Sequence, residues 1–287
     1  MSVSSPVWLE VALNGAWTRA IQPRAPFSVA QIIEEGVACA GEGAAIVHVH
    51  AYDERGQPIE DADVYTRIIE GIRARCDVIV YPTIAFTPED PDSPQRLAPL
   101  HELSRRGLLE WLPIDPGSIN INRYEAVAKG RNGRFYLNPE THLRRGLELA
   151  AEHDEVPTYA IYEPGFIRLG AALAASTKGL KTPVYRLMFT EQRIWGFPAE
   201  LFALESYIAL LEREAKGAPW MIAGHEVDIR PLIQPAVEAG GHVRVGLEDA
   251  PFGSELMNVD WVRGAAELIH ANGRRLATAA EIRAATQ

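Results

Sequence analysis

Eight short apolar segments of β-strand character recur along the 287-residue chain, and amphipathic helical stretches separate them. The segments are VWLEVAL (7–13), AAIVHVH (44–50), DVIVYPTIA (77–85), LEWLPI (109–114), PTYAIYE (157–163), PVYRLMF (183–189), PWMIAG (219–224) and HVRVGLE (242–248). Strands that alternate with helices form parallel βα units. Eight such units fit a closed barrel better than an open doubly wound sheet, so the sequence predicts an α/β protein with a (β/α)8 TIM barrel.

Helices are predicted between these segments, at 28–43, 61–75, 198–217 and 229–241. Ser28 is a candidate N-cap for the first of them. No low-complexity tract, long linker or break in composition interrupts the pattern. Barrels of this kind commonly reach this length as one domain, so we expect residues 1–287 to form a single domain. The strands lack the glycine-rich motifs that support nucleotide-binding folds.

Charge and apolar content disfavour several classes of protein. The formal net charge is −10 at pH 7, which disfavours broad binding to nucleic acid or anionic membranes. No stretch approaches the length of a membrane span, and the start of the sequence lacks the pattern of a secretory signal. Only two cysteines occur, without a C-x-x-C pair. We therefore expect a cytoplasmic protein without disulfides and with no nucleic-acid or membrane partner.

Two histidines, His48 and His50, end the second predicted strand. Alternate residues of a strand point to the same face, so the two imidazoles would project side by side. Neighbouring imidazoles suit a metal ion. The H-x-H pattern is short and common, however, and it also fits one buried structural histidine beside a surface one.

Charged residues converge on the same predicted rim of the barrel. The C-terminal ends of barrel strands carry the active site, and the eighth strand lies beside the first in a closed ring. Glu10 lies on the first strand, and Arg244, Glu248 and Asp249 lie at the end of the eighth. Alternation places Arg244 and Glu248 inside the barrel, where an unpaired charge is costly, and this favours a functional role.

Two neutral imidazoles and a carboxylate form a ligand set that zinc commonly takes, with a fourth position open in catalytic sites. His48, His50 and Glu248 supply that set. The sequence therefore predicts a zinc site at the rim.

Several stretches of the chain resemble the β-keto acid cleavage enzymes, typified by 3-keto-5-aminohexanoate cleavage enzyme. The matching stretches are GAAIVHVH (43–50), DVIV (77–80) with the following Thr83, PGSIN (116–120) and GGHVRVGLED (240–249). They extend over nearly the whole chain in the expected order, and the last is long and specific. The resemblance implies a (β/α)8 barrel that binds one zinc ion through His48, His50 and Glu248.

The resemblance also implies a reaction and further site residues. Family members condense a β-keto acid with acetyl-CoA and then cleave the product by a retro-Claisen step, giving acetoacetate and a new acyl-CoA. Arg244 and Asp249 would form a proton-transfer dyad, and Glu10 would position the reacting groups. A homo-oligomer, namely a tetramer, is expected on the same ground. Three further residues would hold the substrate carboxylate, namely Thr83, Ser118 and Asn120.

Some positions depart from the family pattern. Tyr52 stands where the family has an arginine after H-x-H, and Thr158 and Ala160 replace acidic residues of the fifth strand. A buried ammonium group needs a paired charge or several acceptors. We therefore expect a substrate without the positive amino group of 3-keto-5-aminohexanoate, bound in a more aromatic pocket. Candidate lining residues are Tyr52, Tyr81, Phe86, Trp195 and Phe197.

Two other functions stay open at this point. Zinc hydrolases of the amidohydrolase type also carry H-x-H in a barrel, but on the first strand and with further histidines on later strands. His225 and His242 would be available for that role. A non-catalytic barrel that binds zinc or a small ligand is the third interpretation.

The sequence contains no recognisable coenzyme A motif. Arginines predicted to lie in loops could contact the phosphates of the coenzyme, and the candidates are Arg19, Arg24, Arg186 and Arg193.

Overall fold

The computed structural model describes residues 5–87 and 89–287 of the chain. Eight parallel strands form its central sheet. They are β1 Leu9–Ala12, β2 Ile46–Val49, β3 Ile79–Pro82, β4 Trp111–Ile114, β5 Val156–Ile161, β6 Val184–Phe189, β7 Trp220–Gly224 and β8 His242–Val245. The eight predicted segments contain these eight strands, although β5 begins one residue earlier than its segment, so the predicted (β/α)8 barrel is confirmed.

At least one helix follows each strand along the chain. The helices are α1 Val29–Gly41, α2 Ala62–Arg73, α3 Ala98–Arg105, α4 Tyr124–Ala128, α5 Glu140–Glu152, α6 Pro164–Ser176, α7 Leu201–Glu214, α8 Ile233–Glu238, α9 Asn258–Ala271 and α10 Ala279–Ala285. Ser28 caps α1 as predicted, because its side chain accepts a hydrogen bond from the backbone N–H of Gln31 at 3.3 Å. The predicted helix 229–241 begins instead as a 3₁₀ turn, Arg230–Leu232, before α8.

The strand order around the sheet is β3-β2-β1-β8-β7-β6-β5-β4, with every neighbouring pair parallel. The first and last strands are therefore direct neighbours, and Glu10 on β1 is in register with Arg244 on β8. At the seam between β3 and β4 the rings of Tyr81 and Trp111 lie 5.8 Å apart. The barrel is thus nearly closed, and its polar strand ends share one rim.

Strands β2 to β7 contribute residues to two apolar cores, because alternate residues point to opposite faces. On β2, Val47 and Val49 pack outward into the large core shared with the helices, whereas Ile46 joins a smaller cluster inside the barrel. Ile282 of α10 belongs to that inner cluster, so the last helix covers the N-terminal end of the barrel. The opposite end of the barrel is left for the polar residues.

Two short hairpins follow β2 and β4 on the side of that polar rim. The first pairs Ala51–Tyr52 with Pro58–Ile59, and the second pairs Ile119–Ile121 with Arg134–Tyr136. An isolated bridge between Arg123 and Arg193 ties the second insertion to the loop after β6. Among the helices of the described residues, none has the length and apolar character needed to span a membrane.

Candidate active site

The structure brings His48, His50 and Glu248 together at the C-terminal rim of the barrel. His48 Nε2 lies 3.3 Å from Glu248 Oε2, and His50 Nε2 lies 3.5 Å from Glu248 Oε1. One ligand atom from each residue lies within 4.8 Å of the other two, and no other such group of three exists among the described residues. We call these three residues the His–Glu group.

The donor atoms of the His–Glu group suit a metal ion. His50 Nε2 and Glu248 Oε2 are each buried without a hydrogen-bond partner among the described residues, although each lies close to an atom of the His–Glu group. Burial lowers the pKa of His48 to about 3, which keeps its imidazole neutral as metal ligation requires. Two neutral imidazoles and one carboxylate fit a zinc ion with an open fourth position.

Hydrogen bonds from surrounding side chains fix the backbone that carries the His–Glu group. Asn14 accepts from the backbone N–H of His50 at 2.9 Å and donates to the His50 carbonyl at 3.0 Å. Asn258 accepts from the backbone N–H that precedes Glu248 at 2.8 Å, and Trp17 Nε1 donates to the Glu248 carbonyl at 2.8 Å. No periodic pattern in the sequence identifies these residues, because they lie in loops or at a helix start.

Arg244 connects the His–Glu group to two further buried carboxylates. It donates to Asp249 through two parallel hydrogen bonds, from Nε at 2.8 Å and from Nη2 at 2.9 Å. Its Nη2 also lies 3.0 Å from Glu248 Oε1, and its Nη1 donates to Glu10 at 3.1 Å. Burial raises the pKa of Asp249 to about 6, although Arg244 opposes this shift. Asp249 is therefore a carboxyl group that can exchange a proton near neutral pH.

A second buried arginine, Arg186, belongs to the same network as Arg244 and Glu10. Tyr81 donates a hydrogen bond to Glu10 and accepts one from Arg186, whose Nη1 also donates to Thr158 Oγ1 at 2.8 Å. The suggestion that Arg186 lies in a loop is wrong: it lies on β6, 4% exposed, inside the barrel. Strand alternation alone predicts the interior position of Arg186, because every second residue of β6 faces the interior.

Aromatic rings in contact with one another lie beside the site. Trp17 contacts Phe252 and His225, with ring centroids 4.9 Å and 5.6 Å away. Trp195 in turn lies 5.2 Å from His225 and 5.0 Å from Tyr162. We call these five residues the aromatic collar, and Trp17 links it directly to the backbone of the His–Glu group.

The other aromatic candidates have different surroundings. Tyr81 lies inside the barrel, and Tyr52 donates to the carbonyl groups of the loop after β1. Phe86 is 46% exposed, and Phe197 packs against Tyr207 beside α7. Only Trp195 among the candidates therefore belongs to the aromatic collar.

The three residues predicted to hold the substrate carboxylate are not joined to the His–Glu group by hydrogen bonds. Thr83 follows β3, the strand beside β2, and is partly buried. Ser118 Oγ accepts a hydrogen bond from the backbone N–H of Asn138 at 2.8 Å, and Asn120 is exposed on the second hairpin. Their contact with a substrate stays a prediction.

His225 and His242, the histidines that a hydrolase would need, lie outside the His–Glu group. His242 stacks on Trp8 with ring centroids 4.1 Å apart, and its Nδ1 accepts from the backbone N–H of Trp8. That position is at the N-terminal end of β8, away from the His–Glu group. His225 lies in the aromatic collar and is not part of the His–Glu group.

A sequence model described as beta-keto acid cleavage enzyme matches residues 6–287. The chain belongs to this family. It is 25% identical to the 3-keto-5-aminohexanoate cleavage enzyme of Fusobacterium nucleatum, over 93% of this chain and 92% of that protein. It is 27% identical to the 3,5-dioxohexanoate:acetyl-CoA acetone transferase of Paraburkholderia graminis, over 87% of this chain and 84% of that protein.

Solved structures agree with the fold. The apo structure of ObcA superposes with a TM-score of 0.73 at 16% identity, and the match covers 92% of this chain and 65% of the ObcA chain. The chain thus spans about two thirds of ObcA, and the likeness concerns the fold alone. Family membership makes this chain an enzyme of carbon–carbon bond cleavage and acyl transfer.

Gly246 permits the close approach of β8 to β1 just before Glu248. Its φ is +133°, and a Cβ atom there would lie 2.2 Å from the carbonyl oxygen of Ala12. We expect Gly246→Ala to lower the free energy of unfolding by roughly 2–4 kcal/mol, since backbone strain and overpacking both contribute. Urea unfolding followed by circular dichroism measures this.

Gly253→Ala is the matched control for Gly246→Ala. Gly253 also has a positive φ, +73°, but no atom lies within 4 Å of its added Cβ. The control should therefore report strain without a clash and cost about 1 kcal/mol. Equal losses in the two variants would contradict the packing argument.

Proposed function

We propose that this enzyme uses zinc and acetyl-CoA to cleave a β-keto acid, giving acetoacetate and a new acyl-CoA. The observation that carries the proposal is the direct contact between the His–Glu group and the Arg244–Asp249 pair. A metal site and a proton-transfer site thus share Glu248 and Arg244. The relatives named as acetyl-CoA-dependent transferases support acetyl-CoA as the co-substrate.

Each role follows from the chemistry of the residue. His48, His50 and Glu248 would hold the zinc ion, and their bound ion would supply Lewis-acid polarisation of a keto oxygen, which would lower the cost of forming an enolate. Asp249 removes the α-proton of the substrate. Arg244 holds both oxygens of Asp249 and so orients that carboxylate.

Glu10 acts as a positioning residue in this proposal. Its carboxylate is fully buried, and one of its oxygens, Oε1, accepts hydrogen bonds from both Arg244 and Tyr81. It therefore fixes the guanidinium group that orients Asp249. We also propose that Thr83, Ser118 and Asn120 bind the substrate carboxylate, since hydroxyl and amide groups can donate to it.

The substrate proposed here lacks a positive amino group. Thr158 and Ala160 stand on the inner face of β5, in place of acidic residues, and Thr158 accepts from the cation Arg186. Arg186 would repel an ammonium group, whereas the aromatic collar offers apolar surface. An uncharged β-keto acid suits these surroundings best.

The alternative functions have less support. A hydrolase of the amidohydrolase type needs more histidine ligands, and His242 lies at the far end of the barrel. A barrel that only binds zinc would not need the buried Arg244–Asp249 pair. The cytoplasmic location and the homotetramer stay predictions.

His48→Ala tests the metal site. We expect the variant to lose zinc affinity by more than about 100-fold and to lose turnover, because removing a direct ligand costs more than removing an outer partner. Elemental analysis gives the zinc content, and acetyl-CoA-dependent release of acetoacetate gives the activity. His101→Ala, at an exposed position on α3, is the control and should retain both. Stoichiometric zinc in His48→Ala would contradict the ligand assignment.

Asp249→Asn tests the proton transfer. The amide keeps the shape of the side chain but cannot take a proton, so zinc should stay bound while exchange at the substrate α-carbon falls by about 10²–10⁴-fold. Deuterium incorporation followed by NMR measures the exchange. Asp90→Asn, at an exposed position, serves as the control. Exchange at the parent rate in Asp249→Asn would show that another group is the base.

The charge preference is tested by comparing two substrates of equal length. We expect kcat/KM for 3-ketohexanoate to exceed that for 3-keto-5-aminohexanoate by about tenfold or more, since each lost polar pairing costs roughly 1–3 kcal/mol. Both are measured at saturating acetyl-CoA. A tenfold preference for the amino compound would overturn the proposed substrate class.

A further inference from the structure

Two arginines stand side by side on the rim, outside the His–Glu group. Arg123 and Arg193 form an antiparallel bridge between the insertion after β4 and the loop after β6. Backbone hydrogen bonds on both sides of the bridge fix it, from Tyr124 N to Gln192 O and from Ile194 N to Asn122 O, each at 3.3 Å. Directly opposed residues of such a pair hold their side chains together, and like charges there repel. We call Arg123 and Arg193 the arginine pair.

One carboxylate serves both members of the arginine pair. Glu226 accepts from Arg123 through one oxygen and from Arg193 through the other. Its side chain is 3% exposed, and its backbone has φ +60°, a conformation that a residue with a Cβ atom rarely adopts. Two guanidinium groups thus face one carboxylate, and a net positive charge is left at this place.

The arginine pair retains donors for a further acceptor. The side chain of Arg193 is 13% exposed, and its Nε is buried without a hydrogen-bond partner among the described residues. Arg123 is 37% exposed and lies over the ring of Phe252, 5.3 Å from its centroid. A planar guanidinium group with free donors matches the oxygens of a phosphate.

The aromatic collar connects the arginine pair to the His–Glu group. His225 Nε2 lies 3.5 Å from Glu226, and its ring contacts Trp17, which donates to the Glu248 carbonyl. The arginine pair therefore lies across the collar from the metal ligands. A ligand that reaches both places needs a reactive end, a neutral segment that lies along the aromatic collar, and an anionic group. An acyl thioester of a phosphorylated pantetheine has these three parts.

We propose that Arg123 and Arg193 bind a phosphate group of the coenzyme A thioester, with Glu226 holding the two guanidinium groups in position. The inference rests on the proposed function, since it assigns a site to its co-substrate. A remote carboxylate on the β-keto acid has the same chemistry, and the kinetic comparison below separates the two sources.

The test uses acetyl-CoA and acetyl-pantetheine, which carries the same thioester without phosphates. In Arg123→Gln, Arg193→Gln and the double variant, the ratio of kcat/KM for acetyl-CoA to kcat/KM for acetyl-pantetheine should fall, by tenfold or more in the double variant. Arg193→Lys should recover part of the loss. Arg213→Gln, an 80% exposed position on α7, should keep the parent ratio. Arg123→Gln alters the more exposed arginine and keeps the test valid if Arg193 variants fold poorly.

Two kinetic outcomes would overturn the proposal. An unchanged ratio in the folded variants would exclude a phosphate contact, and a raised KM for the β-keto acid alone would assign the arginine pair to the substrate. Calorimetric titration with coenzyme A provides a second measurement that needs no turnover. If the parent enzyme binds coenzyme A and the double variant binds it at least tenfold more weakly, the coenzyme A site is supported even if the proposed reaction is wrong. Equal affinities would refute it.

Discussion

The buried guanidinium group of Arg244 is the interaction on which the site depends. It contacts Glu10 from the start of the chain and Glu248 and Asp249 from near its end, and it can do so because β1 and β8 are neighbours in the closed barrel. Burying these charges is costly unless each is paired. Three carboxylates nevertheless face only two buried guanidinium groups, those of Arg244 and Arg186. The one negative charge that is left over favours a cation at the His–Glu group.

The loops around this network restrict its movement. Asn14, Asn258 and Trp17 bind the backbone on both sides of the proposed ligands, so the ligands do not depend on their own strands alone. Such support is what a metal site needs to hold its geometry. The aromatic collar and the arginine pair lie in loops at the same rim of the barrel. The barrel strands thus position the proposed metal ligands, while the loops supply the surfaces that select substrates.

Strand periodicity explains how much of this arrangement the sequence could predict. Residues two apart share a face, and barrel closure places the eighth strand beside the first, so strand periodicity brings His48, His50 and Glu248 to one place. The same alternation places Arg186 inside the barrel, on β6 and not in a loop. Arg123 and Arg193 meet through a bridge between two loops, and no local pattern encodes that pairing. The single domain over 1–287 stays a prediction.

The most direct test of this account uses the unmodified enzyme after removal of its metal. Zinc is added back stepwise, and acetoacetate release from an uncharged β-keto acid is measured with and without acetyl-CoA. The account predicts no release from the metal-free enzyme, and full activity at one zinc per chain only when acetyl-CoA is present. Full activity without zinc, or release that does not require acetyl-CoA, would contradict it.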